Sequence, residues 1–127
     1  MEELVGRLVG VRRVEEVVQE AGLRMLTYEG GQHLKENSDV FCANPAVYDV
    51  YQHYLGQMEQ HFDLFMQYTR NGTHSSGNSW GAKRFIGEPL DEAHKYRALR
   101  DYVIKTGQYD PKTGRVKPIS EKSAASR

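Results

Sequence analysis

The stretch Leu23-Arg24-Met25-Leu26-Thr27-Tyr28-Glu29-Gly30-Gly31-Gln32-His33-Leu34 decides how this chain is read. It opens as a short apolar run and passes into Thr27 and Tyr28. β-Branched and aromatic residues at that point favour a strand over a short helix. The Gly30-Gly31 pair then lets the backbone turn sharply or take positive φ, which ends the strand. Glu29 therefore falls at the carboxyl end of an expected buried strand, just ahead of a pliable loop. In barrels and open α/β sheets, ligands and catalytic groups collect at that end of the strands. The simpler reading is a solvated carboxylate beside a turn, because one Glu in a glycine-rich turn is a weak signal.

On the N-terminal side, residues 1–21 read as a helix. Val14, Val17, Val18 and Ala21 make a helical stripe flanked by Glu15, Glu16, Gln19 and Glu20. Gly22 is placed to close it as a left-handed cap, while Gly6 and Gly10 weaken its first part. On the C-terminal side, residues 30–44 read as a long polar loop, a feature that is usually functional or disordered. Asn44 and Pro45 then start a second helix that ends near His61. Its apolar face is Val47, Val50, Tyr51, Tyr54, Leu55 and Met58, so these tyrosines are expected in the core.

A second strand is expected over residues 62–68, mostly apolar as a strand covered on both faces should be. Residues 69–79, rich in Gly, Asn and Ser, read as a loop. Asn71-Gly72-Thr73 matches a glycosylation sequon, which means nothing without a secretory route. Trp80, the sole tryptophan, follows directly. A third helix is expected over residues 91–105. Asp91 is its cap, Tyr96, Leu99 and Val103 are its stripe, and Gly107 ends it. Asp110-Pro111-Lys112-Thr113-Gly114 is a turn sequence, and the last residues read as a flexible tail. The expected organisation is a single domain over residues 1–106, followed by a turn and tail over 107–127.

The alternation of elements implies an α/β class with right-handed parallel βα units and three main helices. Two parallel strands leave both sheet edges unpaired. Either other chains complete the sheet by oligomerisation, or the chain is one piece of a larger fold.

Composition narrows the partners. The chain has 127 residues, and its 17 basic and 17 acidic residues balance. That gives no electrostatic case for nucleic acid or an anionic membrane. Cys42 is the lone cysteine, so neither an intramolecular disulfide nor a cysteine metal cluster is expected. His53, His61, His74 and His94 have no metal-ligand spacing, and no metal or cofactor is expected. No segment reaches the apolar length of a membrane span. The N-terminus carries acids at once and makes a poor signal peptide, so a cytoplasmic location is expected.

Leu26-Thr27-Tyr28-Glu29-Gly30-Gly31-Gln32-His33-Leu34 resembles a segment near the C-terminus of bacterial clan A glycoside hydrolase-like proteins, often labelled cellulose-binding. The resemblance runs on through Asn44-Pro45, the Tyr-rich helix, residues 61–68, Ser79-Trp80-Gly81-Ala82 and Lys95-Tyr96-Arg97-Ala98-Leu99. It covers roughly residues 12–104 in matching order, which is more specific than one motif. It implies a partial (β/α)8-barrel-like fragment, holding the last two strands and last helices of the barrel. It also implies that Glu29 matches the catalytic nucleophile and Trp80 the aromatic platform under a bound sugar.

The chemistry suits those roles. A retaining glycosidase uses two carboxylates about 5 Å apart, one as nucleophile and one as acid/base. An indole face suits the C–H-rich face of a sugar ring. Tyr28, Gln32, His33 and Asn78 are the further candidate substrate-binding residues. The plainer alternatives are Trp80 as a lid on the core and His33 as an ordinary loop residue. The family's acid/base glutamate would lie upstream, and Glu36, Glu59, Glu88 and Glu92 have no strand-end context. The expectation is a glycoside hydrolase-like fragment with a carbohydrate-site remnant and no competence of its own. The competing classes are a non-catalytic carbohydrate binder, a self-associating structural module and, more weakly, a partner-binding domain using the Tyr-rich helix.

Overall fold

The computed structural model describes residues 2–32, 34 and 36–117, with side chains described from residue 10 onward. His33 and the expected tail from residue 118 lie outside the described residues. The elements are four helices, α1 (Glu2–Glu20), α2 (Ser38–Ala43), α3 (Val47–His61) and α4 (His94–Lys105). A short antiparallel ribbon of β1 (Tyr109–Asp110) and β2 (Arg115–Val116) follows them. None of these described helices is long and apolar enough to cross a membrane.

Helix ends follow their glycines. Gly22 closes α1 at φ 68°, with Gly22 N–H on the Gln19 carbonyl and Leu23 N–H on the Val18 carbonyl. Gly107 closes α4 in the same way at φ 71°, using the Ile104 and Val103 carbonyls. This paired pattern satisfies carbonyls that a helix end leaves orphaned. The ribbon turns on Asp110, whose carboxylate accepts from Lys112 N–H at 2.9 Å and the Thr113 hydroxyl at 2.7 Å.

The core lies between α3 and α4. Val47, Tyr51, Leu55 and Ala98 form its buried centre, and Phe41, Tyr48, Tyr54, Phe65, Leu99 and Tyr102 pack around it. Tyr51 is 2% exposed, so the Tyr-rich face of α3 is turned inward. Polar tips secure the pair. Gln52 Nε2 donates to the Ala98 carbonyl at 2.7 Å, and the Tyr48 hydroxyl donates to Asp101 at 3.2 Å. α1 reaches α3 through Glu15, whose carboxylate meets His61 Nδ1 at 2.7 Å.

Several expectations are corrected. Val50 is exposed, because the buried stripe of α3 runs through positions 47, 51, 55 and 58. Asp91 does not cap α4, which starts three residues later behind a turn on the Pro89 carbonyl. The buried residues of α4 are Lys95 and Ala98; of the expected Tyr96–Leu99–Val103 stripe, Leu99 packs against the core, while Tyr96 and Val103 are only partly buried. Val14 and Val17 of α1 are exposed. Within the expected loop over residues 30–44, residues 38–43 fold as α2, anchored by the buried Ser38.

The expected strands run side by side in parallel, but only as two isolated bridges, Leu26 with Leu64 and Gly30 with Gln67. Asp63 N–H donates to the Met25 carbonyl, Thr27 N–H to Leu64, Gly30 N–H to Met66 and Tyr68 N–H to Gly30. Between the bridges the first segment has one residue more than the second, so it bulges. Met66 N–H goes instead to the Thr27 hydroxyl at 2.8 Å, and Asp63 caps Met25 N–H at 2.9 Å. Side chains thus take over bonds that a regular ladder would make. Among the described residues the parallel βα units and barrel fragment are therefore not seen as regular strands, and the one two-stranded sheet is antiparallel.

Candidate functional site

Where the two parallel segments end, they open onto a cavity of about 460 Å³. Glu29, Gly30 and Gly31 contribute one side of its lining, Phe65 and Tyr68 a second, and Trp80 a third. Tyr54 and Met58 of α3 line it from the helix layer. The aromatic side chains brace one another edge to face. Tyr68 and Trp80 stand 6.0 Å apart at 72°, and Tyr54 and Phe65 stand 5.8 Å apart at 80°. Such tilted pairs are favoured by the ring quadrupoles. Gly30 lets the backbone pack closely here, since a Cβ at that position would overlap the Phe65 ring unless the ring moved.

Gly81 follows Trp80 and lies so close to the Gly72 backbone that a Cβ would collide with it. This close approach pairs residues 69–72 with residues 82–83. Ala82 N–H donates to Thr69, Lys83 N–H to Arg70 and Gly72 N–H to Lys83. His74 Nε2 lies 2.8 Å from the Gly81 carbonyl. Trp80 is thereby carried on a pinned turn.

The polar frame behind the cavity converges on Ser79. Its carbonyl accepts from Gln32 Nε2 at 2.7 Å and from Lys95 Nζ at 2.8 Å. Lys95 Nζ also donates to the Trp80 carbonyl at 3.0 Å. The Ser38 hydroxyl, at the start of α2, lies 2.9 Å from the Ser75 carbonyl and 3.1 Å from the Ser79 hydroxyl. Burial pulls the Lys95 ammonium down to about 8. Burial also pushes the Cys42 thiol up, against the opposing pull of Lys95. The Tyr54 hydroxyl is pushed up to about 12 by burial, with Gly31 opposing it through a backbone hydrogen bond.

The expected site residues separate clearly. Glu29 and Trp80 line the same cavity. Tyr28 is 87% exposed and does not line it. The backbone bends at Tyr28 and Glu29, where the segment bulges, and leaves Glu29 at the cavity and Tyr28 in solvent. Asn78 is exposed in a turn closed by reciprocal backbone bonds with Ser75, outside the cavity lining. Gln32 has a structural use, since its Nε2 holds Ser79 and its Oε1 accepts Leu34 N–H at 2.7 Å.

Lys95, Ser38 and Ser79 are the contributors that sequence reasoning passed over. Only the spacing of Lys95 with Ala98, Leu99 and Tyr102 marks it as facing the core. Among the described residues Glu29 is the only carboxylate lining the cavity. Glu88 is buried but bonded to Arg84 through both the backbone N–H and the guanidinium. Glu92 pairs with Arg84 at 2.7 Å, and Glu59 accepts from the Tyr102 hydroxyl. No protein-family profile, curated protein or solved structure matches this chain.

Proposed function

We propose that this chain binds a glycan at the Glu29–Trp80 cavity and has no useful glycosidase turnover of its own. The observation that carries the reading is the shared cavity, which joins one exposed carboxylate at the bend before Gly30 to a partly buried indole on an aromatic wall. A sugar ring presents C–H bonds on its faces and hydroxyls around its rim. The indole takes the face, and the Glu29 carboxylate accepts from the rim. Turnover by the retaining route uses a second carboxylate about 5 Å from the first, as acid/base, and among the described residues Glu29 is the only carboxylate lining the cavity. General acid help contributes about 10²–10⁴-fold, and unactivated glycosides depend on it.

The test titrates the chain with β-linked tetrasaccharides of glucose, xylose and mannose while following Trp80 emission and heat of binding. Saturable binding is expected for at least one of them, with Trp80→Ala weakening it by about tenfold or more. Absence of binding to all of them overturns the glycan reading. Aryl glycosides with good leaving groups need the acid least, so they are the fairest substrates for turnover. Hydrolysis that Glu29→Gln abolishes would overturn the inactive part of the reading. A second reading, a self-associating module, is favoured by Leu26, Tyr28 and Met66, which the parallel pair leaves in solvent.

A further inference from the structure

We infer that Lys95 is the positioning residue of the Glu29–Trp80 cavity: by gripping the Ser79 and Trp80 carbonyls it sets where the indole stands, and losing its proton loosens that grip. The inference rests on the glycan reading only for its effect on affinity.

Lys95 is 1% exposed, and its recorded partners are carbonyl oxygens rather than carboxylates. A buried ammonium is kept only where its donors are used. Here two bonds land on consecutive carbonyls, at 2.8 and 3.0 Å, on either side of the Trp80 backbone nitrogen and α-carbon. The Ser79 carbonyl also accepts from Gln32, which follows the Glu29-Gly30-Gly31 turn. One oxygen atom thus ties the Glu29 loop, the Trp80 loop and α4 together. Bonds from a charged donor are about twice as strong as neutral ones, so deprotonation weakens this junction without removing its donors.

The groups facing Lys95 come from each neighbouring element. Cys42 of α2 lies with its Sγ 3.9 Å from the same Ser79 carbonyl. The Tyr51 ring of α3 has its centroid 5.4 Å from the ammonium. His74 holds the loop at Gly81. Asp39 and Glu88 act on the Cys42 thiol from further away. Burial pushes both Cys42 and Tyr51 up, whereas it pulls Lys95 down to about 8. Of these three, Lys95 changes charge first as pH rises.

Trp80 is the only tryptophan, so its emission reports the junction directly. The experiment records emission of the intact, sugar-free chain from about pH 6.5 to 9.5, with far-UV circular dichroism confirming the fold. A single step centred near pH 8 is expected. It should persist in Cys42→Ser and in His74→Gln and disappear in Lys95→Met. If Lys95→Met does not fold, Gln32→Ala decides, because losing the second donor on the Ser79 carbonyl should enlarge the step. A flat profile in the parent chain overturns the proposal. So does a step that survives Lys95→Met, vanishes in Cys42→Ser or His74→Gln, or stays unchanged in Gln32→Ala.

Affinity for whichever tetrasaccharide binds should weaken about threefold across the step. Unchanged affinity overturns the link between the grip and the site. A step in a chain that binds no glycan sinks the glycan reading and supports Lys95 as the holder of the indole. Binding without a step does the reverse.

Discussion

At the scale of single residues, burial changes what a side chain does. Lys95 is drawn to about 8 because its ammonium has lost its water shell. Keeping it charged costs the folded chain about 3 kcal/mol at neutral pH. Between about pH 8 and 10.5 the unfolded chain holds a proton on Lys95 that the folded chain has released. The unfolded state binds more protons there, so stability rises with pH in that window. Cys42 acts oppositely above its ordinary value of 9.0, since the folded thiol keeps a proton that the unfolded one loses. Tyr54, pushed from 10.0 up to about 12, adds to that loss at higher pH. Denaturant midpoints should therefore climb from near pH 7.5 to about pH 9, level off to about pH 10 where Lys95 and Cys42 cancel, and fall above it as the tyrosines ionise in the unfolded chain. Lys95→Met should remove the climb and leave the fall; a climb that persists would refute the assignment. Packing at Gly30 gives a second residue-scale expectation. A methyl group there overlaps Phe65, so Gly30→Ala should lower stability by about 1–3 kcal/mol through overpacking. An unchanged thermal midpoint would show that the Phe65 ring swings aside freely. Glu29 and Trp80 were legible as candidates because a strand-end carboxylate and a lone indole stand out. Lys95 was not, since a lysine on an amphipathic helix is ordinarily solvated and only its spacing with Ala98, Leu99 and Tyr102 says otherwise.

At the scale of elements, what is local in origin was readable and what is tertiary was not. α1, α3 and α4 announce themselves by 3.6-residue spacing, and Gly22 and Gly107 mark two of their ends. α2 is six residues long in a polar stretch, and its hold on Ser75 and Ser79 comes from residues nearly forty positions away. No local signal encodes that. The parallel segments were readable as extended and as neighbours, but their bulge depends on the Thr27 hydroxyl and the Asp63 carboxylate replacing backbone partners. Helix α3 offers the cleanest energetic contrast. Leu55 lies in the buried centre with Val47, Tyr51 and Ala98, whereas Val50 is about half exposed on the same helix. Leu55→Ala should cost about 2–5 kcal/mol, the usual range for a buried leucine that leaves a cavity. Val50→Ala should stay within about 0.5 kcal/mol, as a surface change does. Urea unfolding of the two variants checks both, and a Val50 effect equal to that of Leu55 would mean that α3 packs through a different face.

At the scale of the whole molecule, the parallel pair is the unfinished part. The backbone N–H groups of Leu26 and Tyr28 have no protein partner among the described residues. The side chains of Leu26, Tyr28 and Met66 are exposed in the same two segments. An extended edge with apolar side chains invites pairing with another chain. Charge does not prevent the approach of a second copy, because 17 basic and 17 acidic residues cancel. We therefore expect the chain to self-associate through this edge, as a weak dimer rather than an obligate one, since the α3–α4 core is complete within one copy. Sedimentation from about 10 µM to about 1 mM should show the average mass rising towards that of a dimer. Leu26→Lys places a charge on the edge, a common device for blunting strand pairing, and should hold the mass at that of one chain over the same range. Thermal stability at low concentration should be nearly unchanged by that substitution, because Leu26 is already half exposed. A parent chain that sediments as a monomer at the highest concentration would refute association. A parent that associates equally well with Lys at position 26 would move the contact to another surface.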